Sequence, residues 1–332
     1  MNMSKKVFKV QDLEVPKGFK KQGFLKISEK PAGAHKIPIT LINGSGDGPT
    51  LVVNGGEHGS EYNGPAACLR LMVELDPKEI SGQVIIVPMV NTLAFEARWM
   101  HSNPIDYRDL TGCYVPEIPR GGSGHPKISY QVATTFYKEV LSKGDYRLNL
   151  HGGDLEEDVL MSTMYSRTGT DSERDAATLA LARNFGWEWI REGIPRPGRT
   201  RSKRLPMPIT VGTEAGGMGR CQSDIVDKVV RGVVNAMKHL NMLEGMPEIP
   251  PAAKVFNPYH LYAKRGGFFI SNVRAGSLVS EGDVIGVIKN LFGETLEEIV
   301  VPTDGVVHMV TTPAIYEGDV VYEIGKDIRE IS

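Results

Sequence analysis

His58 and Glu61, set among glycines in Gly55-Gly56-Glu57-His58-Gly59-Ser60-Glu61, are the residues whose types and spacing point most directly to chemistry. An imidazole and a carboxylate three positions apart in a tight turn can face the same way and share one divalent cation. The flanking glycines permit close backbone turns that a Cβ would obstruct. The segment follows the apolar run Leu51-Val52-Val53 and so falls at the C-terminal end of an expected strand, where open α/β sheets bind ligands. Two ligands do not make a catalytic zinc centre; a third is needed, with a fourth position left for water. His151 supplies it, because it ends another expected strand, Arg147-Leu148-Asn149-Leu150, and is followed by Gly152-Gly153. A lone histidine at a strand end is more often a hydrogen-bonded loop residue. Here the second strand end and the His-Gly-x-Glu spacing favour one Zn²⁺ per chain, held by His58, Glu61 and His151.

Metal-assisted hydrolysis also needs a proton carrier near the attacking water. Glu214 is the candidate: it follows the expected strand Ile209-Thr210-Val211, precedes Ala215-Gly216-Gly217, and therefore lies on the same sheet edge. An oxyanion forms in such reactions, so a fixed cation or donor is expected beside the metal. Arg98 is the first choice, with His101 and Arg108 as rivals from the same segment.

These residues require a scaffold of alternating strands and helices. Pro65 suits a first helical position, with Asn63 or Gly64 as the cap, and Ala66, Leu69, Met72 and Val73 form one stripe facing a core. The apolar run Val84–Val87 reads as a strand buried on both faces. Further helices are expected near Ser129–Leu141, Ser172–Phe185 and Asp224–Leu240, and strands at Tyr146–Leu150, Trp187–Ile190 and Ile209–Thr213. That alternation predicts an α/β domain with a parallel or mixed sheet. Asn91–Gly124 interrupts it as a long irregular segment, and Pro195–Pro208 as a basic one carrying Arg196, Arg199, Arg201, Lys203 and Arg204. The Pro-rich stretch around Met246–Pro251 ends the helical pattern. The expected division is 1–245, an α/β domain with N-terminal strands, and 246–332, a small all-β domain. In the latter, Glu281-Gly282-Asp283-Val284 and Glu317-Gly318-Asp319-Val320 echo one another as turns of two similar halves. A carrier domain would present a modifiable lysine in a hairpin; Lys289 lacks the expected neighbours.

Composition narrows the classes. Among 332 residues, 38 basic and 40 acidic side chains give a net charge of −2, which argues against a polybasic nucleic-acid binder. No apolar run approaches the ~18 residues of a membrane span, and no export signal is evident, so the expectation is a cytoplasmic protein with a small-molecule partner. Three cysteines, Cys68, Cys113 and Cys221, provide no disulfide framework.

Gly56–Glu61, Asn91 to Arg98, Leu150-His151 and Thr213-Glu214 together resemble the succinylglutamate desuccinylase/aspartoacylase family, a branch of the zinc carboxypeptidase superfamily. Residues around Ile37–Pro88 look most like bacterial deacylases that remove acetyl from N-acetyl-diaminobutyrate. The resemblance implies a mixed α/β sheet flanked by helices with an appended β domain. It also implies zinc on His58, Glu61 and His151, Glu214 as general acid/base, and hydrolysis of an amide in a small N-acylated amino acid or amine. The family's Asp-Leu-Asn-Arg carboxylate clamp is here Asp109-Leu110-Thr111-Gly112, and its usual Asp two residues before the third ligand is Asn149. Substrate contacts then fall to His101, Arg108 and Asp109, or to the basic loop Arg196–Arg204. Asp154, Glu156, Glu157 and Asp158 would instead favour a cationic amine. A metal-binding protein without activity and a carboxypeptidase-like peptidase are the competing readings; a homo-oligomer is left open.

Overall fold

The computed structural model describes residues 7–30, 32–117, 127–193 and 205–332. Its backbone is a mixed sheet of 13 strands crossing the whole molecule. Four strands at the centre place the site: Gly46–Gly55 pairs in parallel with Ser81–Val87 on one side and with Tyr146–Leu150 on the other, and Tyr146–Leu150 pairs in parallel with Ile209–Glu214. Their register matters most. Gly55 lies opposite Leu150, and Leu150 opposite Thr213, so the segments bearing His58, His151 and Glu214 leave the sheet side by side.

Alternation along these strands divides the core. Leu51, Val53, Val84, Ile86, Leu148 and Val211 face one cluster, whereas Val52, Ile85 and Val87 face another. The first is closed by α1 (Asn63–Glu74), by α4 (Ser172–Asn184) and by α5 (Ser223–His239); α2 is the short Thr92–Ala97, and α3 (Ile128–Glu139) closes the second. Each fully buried Val, Leu or Ile contributes ~1.5–3 kcal/mol, so continuous apolar strands are expected where both faces are covered.

Helix α1 is rotated relative to the sequence expectation. Ala67, Cys68, Leu71 and Met72 are buried, whereas Leu69 is 57% and Val73 74% exposed, and Ala66 only borders the core. Gly64 explains the rotation: a Cβ there would collide with the Leu150 carbonyl, so the helix start lies flush on the strand and turns its small-residue face inward. Asn63 does not cap the helix through its side chain, and the N-cap is Tyr62. Instead Asn63 Nδ2 donates to Ala215 O (2.9 Å) and its Oδ1 accepts from Gln222 N (2.8 Å), tying α1 to the loop after Glu214. Two other expectations shift. The strand expected at Trp187–Ile190 is Trp189–Gly193, and the long irregular segment contains α2, whose N-terminus Asn91 caps by accepting from Ala94 N.

Beyond the Pro-rich stretch, Ala253–Tyr262 and Val320–Ile331 continue the main sheet. A separate antiparallel sheet, in the order Thr295–Val300, Val284–Lys289, Gly267–Ser271 and Ala314–Ile315, packs beside them around its own apolar cluster. The two echoed turns share one geometry. Gly282 (φ +91°) and Gly318 (φ +92°) both take the left-handed conformation that favours glycine. Asp283 accepts from Ser280 N, and Asp319 from Tyr316 N, each at 2.8 Å. Among the described residues no helix is long and apolar enough to cross a membrane.

A buried ionic cluster ties together four strands at the C-terminal end of the main sheet. Glu323 accepts Arg191 Nε and Nη2 (both 2.7 Å) and lies 2.9 Å from His260 Nε2 and 2.8 Å from His308 Nδ1. Burial alone would raise its carboxyl, but Arg191 and the two imidazoles hold it well below the usual range. A depressed carboxylate stabilises the fold above its unfolded pKa, and that contribution fades as pH falls toward the folded value. Removing one partner of a buried pair typically costs ~3–5 kcal/mol. Glu323→Gln is therefore expected to lower Tm most above pH ~5, with the gap to wild type narrowing in acid; thermal melts across pH check it.

Candidate metal centre and active site

Strand Gly46–Gly55 ends in a turn that only small residues permit. Gly56 has φ +65°, and a Cβ on Gly59 would collide with the backbone of Ala94 and Trp99. The turn brings His58 and Glu61 together, with His58 Nδ1 2.6 Å from Glu61 Oε1. Across the sheet edge, His151 Nδ1 lies 2.9 Å from Glu61 Oε2. One ligand atom from each of His58, Glu61 and His151 lies within 4.8 Å of the others, and all three residues are buried. Burial by itself would raise Glu61, but the two imidazoles outweigh it and hold the carboxyl well below its usual range. Burial likewise opposes the charged form of His151, and Glu61 followed by Glu57 pushes it up to about 10. His58 is raised well above the usual imidazole range in the same way, by Glu61 and Asp109.

The donor set fits zinc. Two imidazole nitrogens and a carboxylate oxygen are the His₂Glu ligands of catalytic zinc centres, and three protein ligands leave a position for water. His58 Nε2 is buried without a hydrogen bond, with Asp109 Oδ1 3.5 Å away, so the ring's outer nitrogen faces a carboxylate as metal-bound histidines usually do.

Glu214 ends its strand one residue beyond Thr213, whose hydroxyl donates to His151 O (3.2 Å). Burial first, and the Glu61 charge next, push its carboxyl well above the ordinary value. Of the rival cationic groups, the structure brings His101 to the cluster: its ring centroid lies 4.6 Å from that of His58, and its Nδ1 3.0 Å from Asp154 Oδ2. Asp154 is fully buried, and burial raises its carboxyl to about 6 against the opposing pull of His101. Arg98 closes α2 in a left-handed conformation (φ 54°), is exposed, and makes no ion pair among the described residues. Arg108 is occupied elsewhere, with its guanidinium 5.3 Å above the Tyr130 ring. Asp109 joins the site through His58 and accepts from Thr111 N (2.8 Å).

The acidic run is only partly what the sequence suggests. Asp154 belongs to the site. Glu157 accepts from Asp154 N (3.3 Å), and Asp158 accepts from Ala275 N (3.2 Å), which anchors the run to the C-terminal strands. The basic loop Arg196–Arg204 lies outside the described residues.

Sequence reasoning missed a buried polar ring behind the third ligand. Glu57 accepts from Arg147 Nη2 (2.7 Å), Asn149 Nδ2 (2.8 Å) and the Tyr114 hydroxyl. The available signal was Arg147 and Asn149 alternating with leucines in a strand expected at the centre of the sheet, where unpaired polar groups are costly. A cavity of about 630 Å³ opens there, lined by Glu57, Thr111, Tyr114, Arg147, Asn149 and Arg174, among others.

Residues 47–240 match the succinylglutamate desuccinylase/aspartoacylase catalytic domain, and the chain belongs to that family. It is 27% identical to N-alpha-acetyl-L-2,4-diaminobutyric acid deacetylase of Halomonas elongata, over 93% of this chain and 92% of that one. Among solved structures, a succinylglutamate desuccinylase/aspartoacylase of Rhodobacter sphaeroides superposes with a TM-score of 0.81 at 27% identity, covering 94% and 96% of the two chains. The product-bound ectoine utilization protein EutE (DoeB) of Ruegeria pomeroyi has the same fold, with a TM-score of 0.81 at 23% identity over 97% of this chain and 99% of that one. The expected mixed sheet with helices and a small C-terminal β region is the fold these proteins share.

Proposed function

We propose that the protein is a zinc-dependent deacylase that hydrolyses the amide bond of a small N-acylated amino acid or amine. The observation that carries this reading is the convergence of His58 Nδ1, His151 Nδ1 and the Glu61 carboxylate, with Glu214 on the next strand end. A zinc ion held by His58, Glu61 and His151 would supply the Lewis acidity for polarising the amide carbonyl and acidifying the attacking water. Glu214 takes the proton of that water and returns it to the leaving amine. His101, oriented by Asp154, donates toward the carbonyl oxygen as charge develops on it. The cavity beside Glu57, Thr111 and Arg147 receives the rest of the substrate. With Thr111-Gly112 in place of an arginine fork, bidentate capture of a carboxylate from that turn is lost. The family membership and the deacetylase relative support the amide-hydrolase class.

The test combines metal analysis of the purified chain with an amine-release assay on a panel of N-acyl amino acids, headed by N-acetyl-diaminobutyrate. Near-stoichiometric zinc and chelator-sensitive release from at least one member are expected. Zinc binding without release from any member would favour a binding protein; absence of zinc binding would end the metal reading.

A further inference from the structure

His151 faces the other two ligands through Nδ1, so Nε2 is the atom through which the protein can orient its ring. Metal on Nδ1 places the ring proton on Nε2, and that N–H needs an acceptor. Asn149 stands nearest, with Nδ2 2.6 Å from Nε2. Its amide orientation is imposed from the far end of a hydrogen-bond chain. Arg147, which can only donate, gives Nε–H to Asn54 Oδ1 (2.8 Å), and Asn54 Nδ2 donates to Asn149 Oδ1 (2.7 Å). Asn149 Nδ2 is thereby directed at Glu57 Oε2 (2.8 Å) and at His151. Turning over either amide sets donor against donor within the chain, a buried mismatch of ~1–3 kcal/mol. Asn149 thus presents an N–H to a nitrogen that must itself donate. The other group in reach is Glu57 Oε2, 3.5 Å from Nε2. Glu57 is 2% exposed and held by Arg147 and Tyr114, so its carboxylate is fixed in place.

We infer that Glu57 is the positioning residue of the third ligand: its carboxylate accepts the Nε2 proton of His151 and fixes the imidazole with Nδ1 toward the metal. One turn then supplies two ligands and the support for the third. His58 is backed in the same way, by Asp109, so each imidazole has its own carboxylate. The inference rests on the metal reading proposed above, and it concerns affinity and orientation rather than a reacting group.

The test measures zinc affinity of the full chain by competition with a chromophoric chelator, with the visible spectrum of the cobalt(II) form as a second readout. Glu57→Gln is expected to weaken zinc by ~10–100-fold, the usual effect of losing such a partner. Asn149→Asp added to Glu57→Gln places a carboxylate oxygen where Nδ2 now stands and is expected to recover most of that loss, along with the cobalt spectrum. The double variant keeps one carboxylate in the cluster that holds Arg147, so it tests the idea even if Glu57→Gln alone does not fold; affinity within tenfold of wild type then supports it. A folded Glu57→Gln that binds zinc like wild type, or a double variant no tighter than the single, makes Glu57 merely the counter-ion of Arg147 and overturns the inference. Failure of the wild-type chain to bind zinc removes the metal reading itself, an outcome distinct from either.

Discussion

Glu214→Gln is expected to leave zinc content unchanged while kcat falls by ~10²–10⁴-fold, the contribution typical of a general acid/base. In free energy that is ~2.7–5.5 kcal/mol of lost transition-state stabilisation. The substitution keeps the shape of the side chain and removes its capacity to carry a proton, which is why metal content and turnover should separate. Glu214 is suited to the task by its surroundings: burial first, and then the nearby Glu61, push its carboxyl well above the usual value. A carboxyl shifted upward is better matched to proton transfer near neutral pH than an exposed one. The residue is not among the three that converge on a common point. Intact zinc with turnover near wild type would remove Glu214 from its role; loss of zinc would make it part of the metal's support instead.

What could be read in the sequence was local, and what could not was the packing of one segment on another. His58 and Glu61 were legible because spacing and glycines sit in one turn, and His151 and Glu214 because each ends an apolar strand. Their adjacency depends on strand order and register, in which Gly55, Leu150 and Thr213 stand in one row. The rotation of α1 was not legible. Leu69 and Val73 make the more hydrophobic stripe, but contact of Gly64 with Leu150 turns the small residues inward. The Glu57 ring was hidden for a similar reason. Arg147 and Asn149 are two apart and share a face of their strand, while Glu57 reaches them from the turn that follows Gly46–Gly55. Which of Arg98 and His101 lies beside the cluster was also beyond spacing. It turned on α2, whose left-handed end leaves Arg98 exposed while the following residues bring His101 to His58.

That placement yields a test with a large expected effect. His101→Ala is expected to lower kcat by ~10²–10³-fold, the usual consequence of losing one donor to a developing oxyanion. KM should change little, because the interaction is made mainly in the transition state. His101 is placed for this service: its ring packs 4.6 Å from that of His58, and Nδ1 lies 3.0 Å from the buried Asp154 carboxylate. Asp154→Asn keeps the imidazole but loosens its hold on orientation and charge, so it should move the same parameter by less. Arg98→Ala serves as the control and is expected to leave kcat and KM near wild type, since the guanidinium is exposed and makes no ion pair among the described residues. Steady-state kinetics on the zinc-loaded variants decide between them. A collapse of kcat in Arg98→Ala with His101→Ala unaffected would reverse the assignment and require α2 to refold around the bound substrate.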